Sequence, residues 1–465
     1  MIIVFQQFVN RGFELEALER EYKAKKAGLA VIYGRRRVGK TELLLHFARE
    51  KGHIFFQADR RGYKENISEF QRIAAESLDN PLFGRARFDS WHEMFVELLP
   101  TMGSTRLVVI DEYPYLIEEG ANEEFQRVWD TLLSKSDVFL VLIGSSMSMM
   151  ENKVLAHGAP LYGRRTMQLR VDKFPWHELR GFFPSYSTKD LIETYSILDG
   201  IPLYLRQFTG SSGVLKNIEA NYLRKDSFLF EEAEFLLREE FREPRRYFAI
   251  LRAISSGKRA YGEIADETGM DKTLLSKYLS SLRELRMIDD DLPMFDDRTR
   301  LRRYRLTDNY YRFWFRYILP NRQLIDVGRS AELMTIVRGS LDEHASMAFE
   351  DIVKDTLLRQ GPWTEVGAWW DRKGENEIDV IATDGRSRKV LFAEVKWRSR
   401  AVGWRTVKGL IEKSELPKVD RKWEKSYLVV SRSGFTERCL ERMESENVLH
   451  WDLEDIGDIA WGRKR

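Results

Sequence analysis

Eight residues limit what this chain can fold into more than any others. GRRRVGKT, from Gly34 to Thr41, follows directly on the apolar run GLAVIY and opens a segment with helical spacing. It fits G-x-x-x-x-G-K-[ST] at every fixed position. Glycines at 34 and 39 let the backbone curl, so that the N–H groups of Arg35, Arg36, Arg37 and Val38 point at phosphate oxygens. The helix that follows, with Glu42 in its first turn, presents an N-terminus that favours anions. Lys40 is placed to neutralise β- and γ-phosphates, and the Thr41 hydroxyl to ligate Mg²⁺. The expectation is a loop that holds ATP or ADP with Mg²⁺.

The surroundings suit such a loop. Leu15, Leu18 and Tyr22 recur at helical spacing ahead of the strand GLAVIY (28–33), and further apolar strands are expected at 53–56, 106–110 and 138–143. Continuous apolar strands separated by helices predict a parallel sheet covered on both faces, hence an α/β fold. At 465 residues about three domains are expected. Residues 1–176 read as the nucleotide-binding core, 177–240 as a helical lid, 241–320 as a winged helix-turn-helix and 335–465 as a third domain. Eight of the twelve tryptophans lie beyond residue 360, which argues for a separate core there.

Net charge is only +2, so any nucleic-acid partner has to be argued from local patches. The lone cysteine, Cys439, excludes a disulfide framework and a Cys-based zinc site, and it suits a reducing cytoplasm. No apolar run of about 18 residues reads as a membrane span, and the opening MIIVFQQFVNRG does not read as a signal peptide.

The run RLVVI ends at Asp111-Glu112. An acid at the C-terminal end of a buried strand can hold Mg²⁺ through water, the role expected of Asp111. A second acid beside it can orient or deprotonate the attacking water, the role expected of Glu112. GRRRVGKT, VVIDEYPYL and VLIGSSMS together resemble the archaeal ATPase family within the AAA+ and signal-transducing STAND P-loop proteins, along the whole chain. The resemblance implies further roles. Asn10-Arg11 matches residues near the adenine base, and Ser145 the polar sensor of the γ-phosphate. Pro202, in GIPLYL, matches the GxP module that packs near the nucleotide. Arg164 and Arg165 are candidates for an arginine finger, which in trans would require a homo-oligomer.

From 243 to 310 the order is helix, helix, a turn at Gly269, a longer helix from Asp271 to about Leu285, and a β-like wing at 301–306. Lys272, Thr273, Ser276 and Lys277 begin the helix expected to enter the major groove of DNA. The wing carries Arg298, Arg300, Arg302, Arg303 and Arg305, expected on phosphates, with Asp296 and Asp297 beside them.

In the third domain Glu394-Val395-Lys396 ends an apolar strand, so Glu394 and Lys396 share a face. A hairpin turn at Asp384-Gly385 brings Asp379 near Glu394, to within about a residue, and Glu350 can add a third carboxylate from a helix. Such a set could hold a divalent metal while the lysine positions water. The arrangement resembles the PD-(D/E)XK nuclease superfamily, which implies a restriction-endonuclease-like α/β fold with Glu350, Asp379, Glu394 and Lys396 as its site. Two functions stay open. One is an ATP-driven, DNA-associated machine. The other is a STAND-type switch acting through protein interactions, with a catalytically idle tail.

Overall fold

The computed structural model describes residues 8–241, 243–296 and 298–462. Two compact units divide the chain, residues 1–173 and 174–465.

The first unit is built on a parallel sheet. Helix α1 (Gly12–Lys23) precedes strand β1 (Gly28–Tyr33), helix α2 (Lys40–Ala48) and strand β2 (His53–Gln57). Helices α3 (Tyr63–Ser77) and α4 (Trp91–Leu98) lead to β3 (Leu107–Asp111). Helix α5 (Ala121–Thr131), β4 (Phe139–Gly144) and β5 (Met167–Arg170) complete it. The strand order is β2-β3-β4-β1-β5, with every pairing parallel. Alternation explains why these strands are apolar throughout. Leu29 and Val31 of β1 face a core with Phe56, Phe70, Trp91 and Phe125. Ala30 and Ile32 face the opposite core, with Leu18, Leu43, Leu44 and Phe47. Both faces are covered, so neither can be polar.

The second unit starts with helices α6 (Thr188–Leu198), α7 (Val214–Tyr222) and α8 (Phe228–Glu240). Ser187 and Asp190 form a capping box at the start of α6, satisfying N–H groups that have no partner within the helix. Next come α9 (Pro244–Ser255), α10 (Tyr261–Thr268), α11 (Lys272–Glu284) and the antiparallel pair β6 (Ile288–Asp291) and β7 (Arg303–Leu306). This is the helix-turn-helix with wing. Gly269 supplies the left-handed turn after α10, and the Asp271 carboxylate caps α11 by accepting the Leu274 N–H at 2.9 Å. The segment 177–240 and the winged helix share one apolar core, in which Leu198, Tyr204, Leu251, Leu275 and Trp314 meet.

Helix α12 (Ser330–Gln360) then leads into a mixed sheet. Its strands are β8 (Glu365–Trp370), β9 (Glu377–Asp384), β10 (Lys389–Lys396), β11 (Glu424–Ser431) and β12 (Leu449–Trp451), in the order β12-β11-β10-β9-β8. Helices α13 (Trp404–Lys413), α14 (Glu437–Ser445) and α15 (Leu453–Trp461) complete the chain. The α/β class expected from sequence holds for both sheets. Strands β5, β8 and β12 were not anticipated: β5 and β12 are short, and β8 is interrupted by a bulge between Gly367 and Trp369. Trp369, Trp370 and Trp397 are buried. No helix among the described residues is long and apolar enough to cross a membrane.

Candidate nucleotide site and its companions

The loop between β1 and α2 is held by a close backbone approach. A Cβ on Gly34 would lie 2.2 Å from the Val171 carbonyl oxygen, so no larger residue fits without moving the backbone after β5. At the other end Gly39 has φ of 89°, a left-handed conformation that suits glycine. Val38 is buried, Arg35, Arg36, Arg37 and Glu42 are half-buried, and Arg37 too is left-handed. Lys40 is 6% exposed, and its ammonium donates to the Gly34 and Arg35 carbonyls at 2.8 and 3.0 Å. The cation thus sits inside the curl of the loop. Arg11 anchors the preceding segment by donating to the Val38 and Asp172 carbonyls at 2.9 and 2.8 Å and to Glu14 at 2.8 Å. Asn10 accepts the Gly12 N–H at 3.4 Å.

The strand-end acids converge on this loop. The Thr41 hydroxyl donates to Asp111 Oδ2 at 2.6 Å, and the Glu112 N–H donates to Asp111 Oδ1 at 2.9 Å. Burial raises the Asp111 carboxyl above its ordinary range, opposed by the Thr41 hydrogen bond. Glu112 takes a left-handed φ of 52°, a conformation that a non-glycine residue holds only when its surroundings fix it. The Ser145 hydroxyl, just past β4, donates to the Glu112 carboxylate. Lys40, Thr41, Asp111, Glu112 and Ser145 therefore gather at the carboxyl ends of three neighbouring strands, β3, β4 and β1, where open parallel sheets bind ligands.

Other candidates stand elsewhere. Arg164 makes a two-pronged ion pair with Asp130 on α5, at 2.7 and 2.8 Å, and Arg165 lies over the Tyr162 ring. Neither makes a described contact with the loop. Pro202 begins a short helix, Pro202–Leu205, in the second unit. Gly200 before it is tightly placed, since a Cβ there would meet the Phe174 carbonyl oxygen at 1.7 Å.

In the winged helix Lys272, Thr273, Ser276 and Lys277 are exposed along the start of α11. The wing arginines are differently placed. Arg298 pairs with Asp296, Arg302 with Asp290, and Arg305 with Asp289 and Asp291. Arg303 pairs with Glu377 of β9 and lies 4.6 Å from the centre of the Trp370 ring. Most of the wing charge expected on phosphates is thus matched by carboxylates within the chain.

In the third domain the hairpin register pairs Ala393 with Val380, which sets Glu394 opposite Asp379. Asp379 Oδ2 accepts the Val395 N–H at 2.8 Å and the Lys396 ammonium at 3.1 Å. Lys396 also pairs with Glu394 at 2.7 Å. Glu350, on α12, has its carboxyl pushed up to about 8 by burial, with the Asp379 charge adding to the effect. Glu350 and Asp379 line one cavity of about 570 Å³, with Arg303, Arg305, Asp351 and Trp370. Among the described residues no three His, Cys, Asp or Glu side chains gather as a metal-ligand set. In place of a cation between the two strand carboxylates stands Lys396. Sequence reading missed Lys413 of α13, 3.6 Å from Glu394, and Asp351, which pairs with Arg312 at 3.1 Å. Neither has a spacing signal, because both reach their partners through tertiary packing.

Comparison with known proteins accords with this layout. A family model described as an ATPase domain predominantly from Archaea matches residues 8–208. One described as bacterial regulatory protein, arsR family, matches 248–290, and one for archaeal and bacterial proteins of unknown function matches 314–407. An uncharacterized protein of Methanocaldococcus jannaschii is 34% identical over 97% of this chain and 100% of its own length. Among solved structures, a Walker-type ATPase of Pyrococcus abyssi is 22% identical, with a TM-score of 0.49 over 66% of this chain and 96% of that one. The ORC2 protein of Aeropyrum pernix is 15% identical, with a TM-score of 0.45 over 70% and 96%. With its P-loop sheet, its ArsR-like winged helix and a relative matched from end to end, the chain belongs to the family of P-loop ATPases found predominantly in Archaea.

Proposed function

We propose that this ATPase works on DNA, with the state of its nucleotide coupled to the winged helix and the third domain. The observation that carries the nucleotide part is the 2.6 Å hydrogen bond between Thr41 and Asp111 beside the buried Lys40. Lys40 leaves the loop carbonyls to meet the β- and γ-phosphates, while the loop N–H groups hold their oxygens. A hydroxyl and a carboxylate in contact offer the oxygen donors a hard cation needs, so Thr41 and Asp111 fit Mg²⁺. When bound, the ion would neutralise charge on the phosphates. Glu112 orients and deprotonates water, and the Ser145 hydroxyl fixes its carboxylate. The exposed polar start of α11 supports a DNA-reading role.

A second reading concerns the tail. Lys396 bridges Asp379 and Glu394, and Lys413 approaches the second Glu394 oxygen at 3.6 Å. This arrangement favours a domain of nuclease-like ancestry that binds without cutting, as in a STAND-type switch. An ATPase assay with and without DNA tests the first reading. Lys40→Ala is expected to lose nucleotide binding, Glu112→Gln to retain ATP uncleaved, and DNA to stimulate the wild type. Loss of turnover in neither variant would remove the proposal. Metal-dependent DNA cleavage that Asp379→Ala abolishes would exclude the idle tail.

A further inference from the structure

From Val395 to Ile411 the chain holds five basic residues, Lys396, Arg398, Arg400, Arg405 and Lys408, and no acidic one. The stretch comprises the end of β10, a loop and the first turns of α13. Arg398, Arg400, Arg405 and Lys408 are exposed. The loop is pinned. Arg398 Nη2 donates to Thr406 Oγ1 at 3.4 Å, which sets the strand end beside the helix that carries Arg405. Ser433 Oγ donates to the Arg398 carbonyl at 2.7 Å, and the Val402 N–H donates to the Gly434 carbonyl at 2.9 Å.

Charge pairing separates this strip from the wing. Among the described residues Arg398, Arg400 and Arg405 form no ion pair, and Lys408 pairs only with the exposed Glu412, at 3.4 Å. Four of the five wing arginines, by contrast, are matched by carboxylates. A guanidinium already paired gains little from a phosphate, since one anion merely replaces another. An unpaired one on a rigid loop gains the full contact and releases the counterions condensed on DNA. The strip also begins two residues beyond Lys396, whose ammonium contacts Asp379 and Glu394, and Glu394 is itself only 6% exposed.

We propose that Arg398, Arg400, Arg405 and Lys408 form the site where the third domain holds the phosphate backbone of duplex DNA, beside the Asp379–Glu394–Lys396 cluster. The inference rests on the DNA-associated reading above, and moves its main electrostatic contact from the wing to this strip.

The test measures binding of the full chain to a short labelled duplex across a salt series. Replacing Arg398, Arg400 and Arg405 together by alanine is expected to weaken binding by about tenfold or more, and to make the slope of log affinity against log salt shallower by roughly 2–3. Replacing the same three by lysine is expected to restore the slope, with both triple variants unfolding at the wild-type temperature. Arg298→Ala with Arg302→Ala, both already paired with carboxylates, is expected to change affinity less than about twofold. An unaltered slope in the alanine triple, or a larger effect from the wing pair, overturns the proposal while the DNA-associated reading stands. Displacement of DNA by polyglutamate as readily as by unlabelled duplex marks a general polyanion surface and also overturns it. If the wild-type chain binds no DNA, the broader reading falls as well.

Discussion

At the scale of single residues, the nucleotide loop depends on backbone that cannot yield. In Gly34→Ala the new methyl would meet the Val171 carbonyl oxygen at 2.2 Å. The expected result is nucleotide affinity lowered by more than about tenfold, since a 1.4 kcal/mol strain already gives that factor, measured by titration with a fluorescent nucleotide. Ser145→Ala removes the hydrogen bond that fixes Glu112. On the proposed role of Glu112 in activating water, it is expected to lower kcat by about tenfold or more with KM within about twofold. His344 supplies a pH prediction. Burial holds its imidazole down to about 3, against the hydrogen bond its Nε2 makes to the Ser196 carbonyl at 2.7 Å. Between pH 3 and 6.5 the unfolded chain binds a proton here that the folded chain does not. Its contribution is therefore fully present above pH 6.5 and declines as pH falls, by ~1.4 kcal/mol per unit at most. Urea unfolding of His344→Gln is expected to show a correspondingly flatter dependence over that range than wild type. His344 had no signature in the sequence, where a lone histidine on a helix looks the same exposed or buried. Lys40, Thr41 and Asp111 were legible because their positions follow from local rules: a turn that demands glycine, and a strand that must end where its apolar run stops.

At the scale of elements, the wing is fastened to the third domain. The Trp370 indole N–H donates to the Leu301 carbonyl at 3.1 Å, and the Met294 N–H to that of Ala368 at 2.9 Å. Burial would raise the Asp351 carboxyl, but Arg312 and Arg305 beside it bring it down to about 2. Asp351→Asn would remove the carboxylate that Arg312 and Arg305 share, leaving Arg305 with Asp289 and Asp291. It is expected to cost ~1–2 kcal/mol, a figure reduced because a third of the aspartate side chain reaches solvent. The shift in denaturant midpoint checks it. Wing and helices were readable from periodicity and turn residues, and the Asp379–Glu394 pairing from the period of two and the turn between the strands. The fastening was not, because an arginine bound for phosphate and one bound for a carboxylate 74 residues away look alike in sequence.

At the scale of the molecule, each apolar cluster lies within one of the two units. Two thermal transitions are therefore expected by calorimetry. ADP at about 100 times its dissociation constant should stabilise only the one belonging to residues 1–173, by ~2.7 kcal/mol. A single transition moving as a whole would contradict this.

The long helix α12 has a mechanical consequence. Over its 31 residues, roughly 46 Å, Leu333, Met334, Val337 and Leu341 sit in the core shared with the winged helix. Further along the same rod Ala345, Phe349, Ile352 and Val353 sit in the core of the mixed sheet. The helix is continuous from Ser330 to Gln360, so the core it shares with the winged helix and the core of the mixed sheet are joined by one rod. Drawing those two cores apart would require breaking the helix itself.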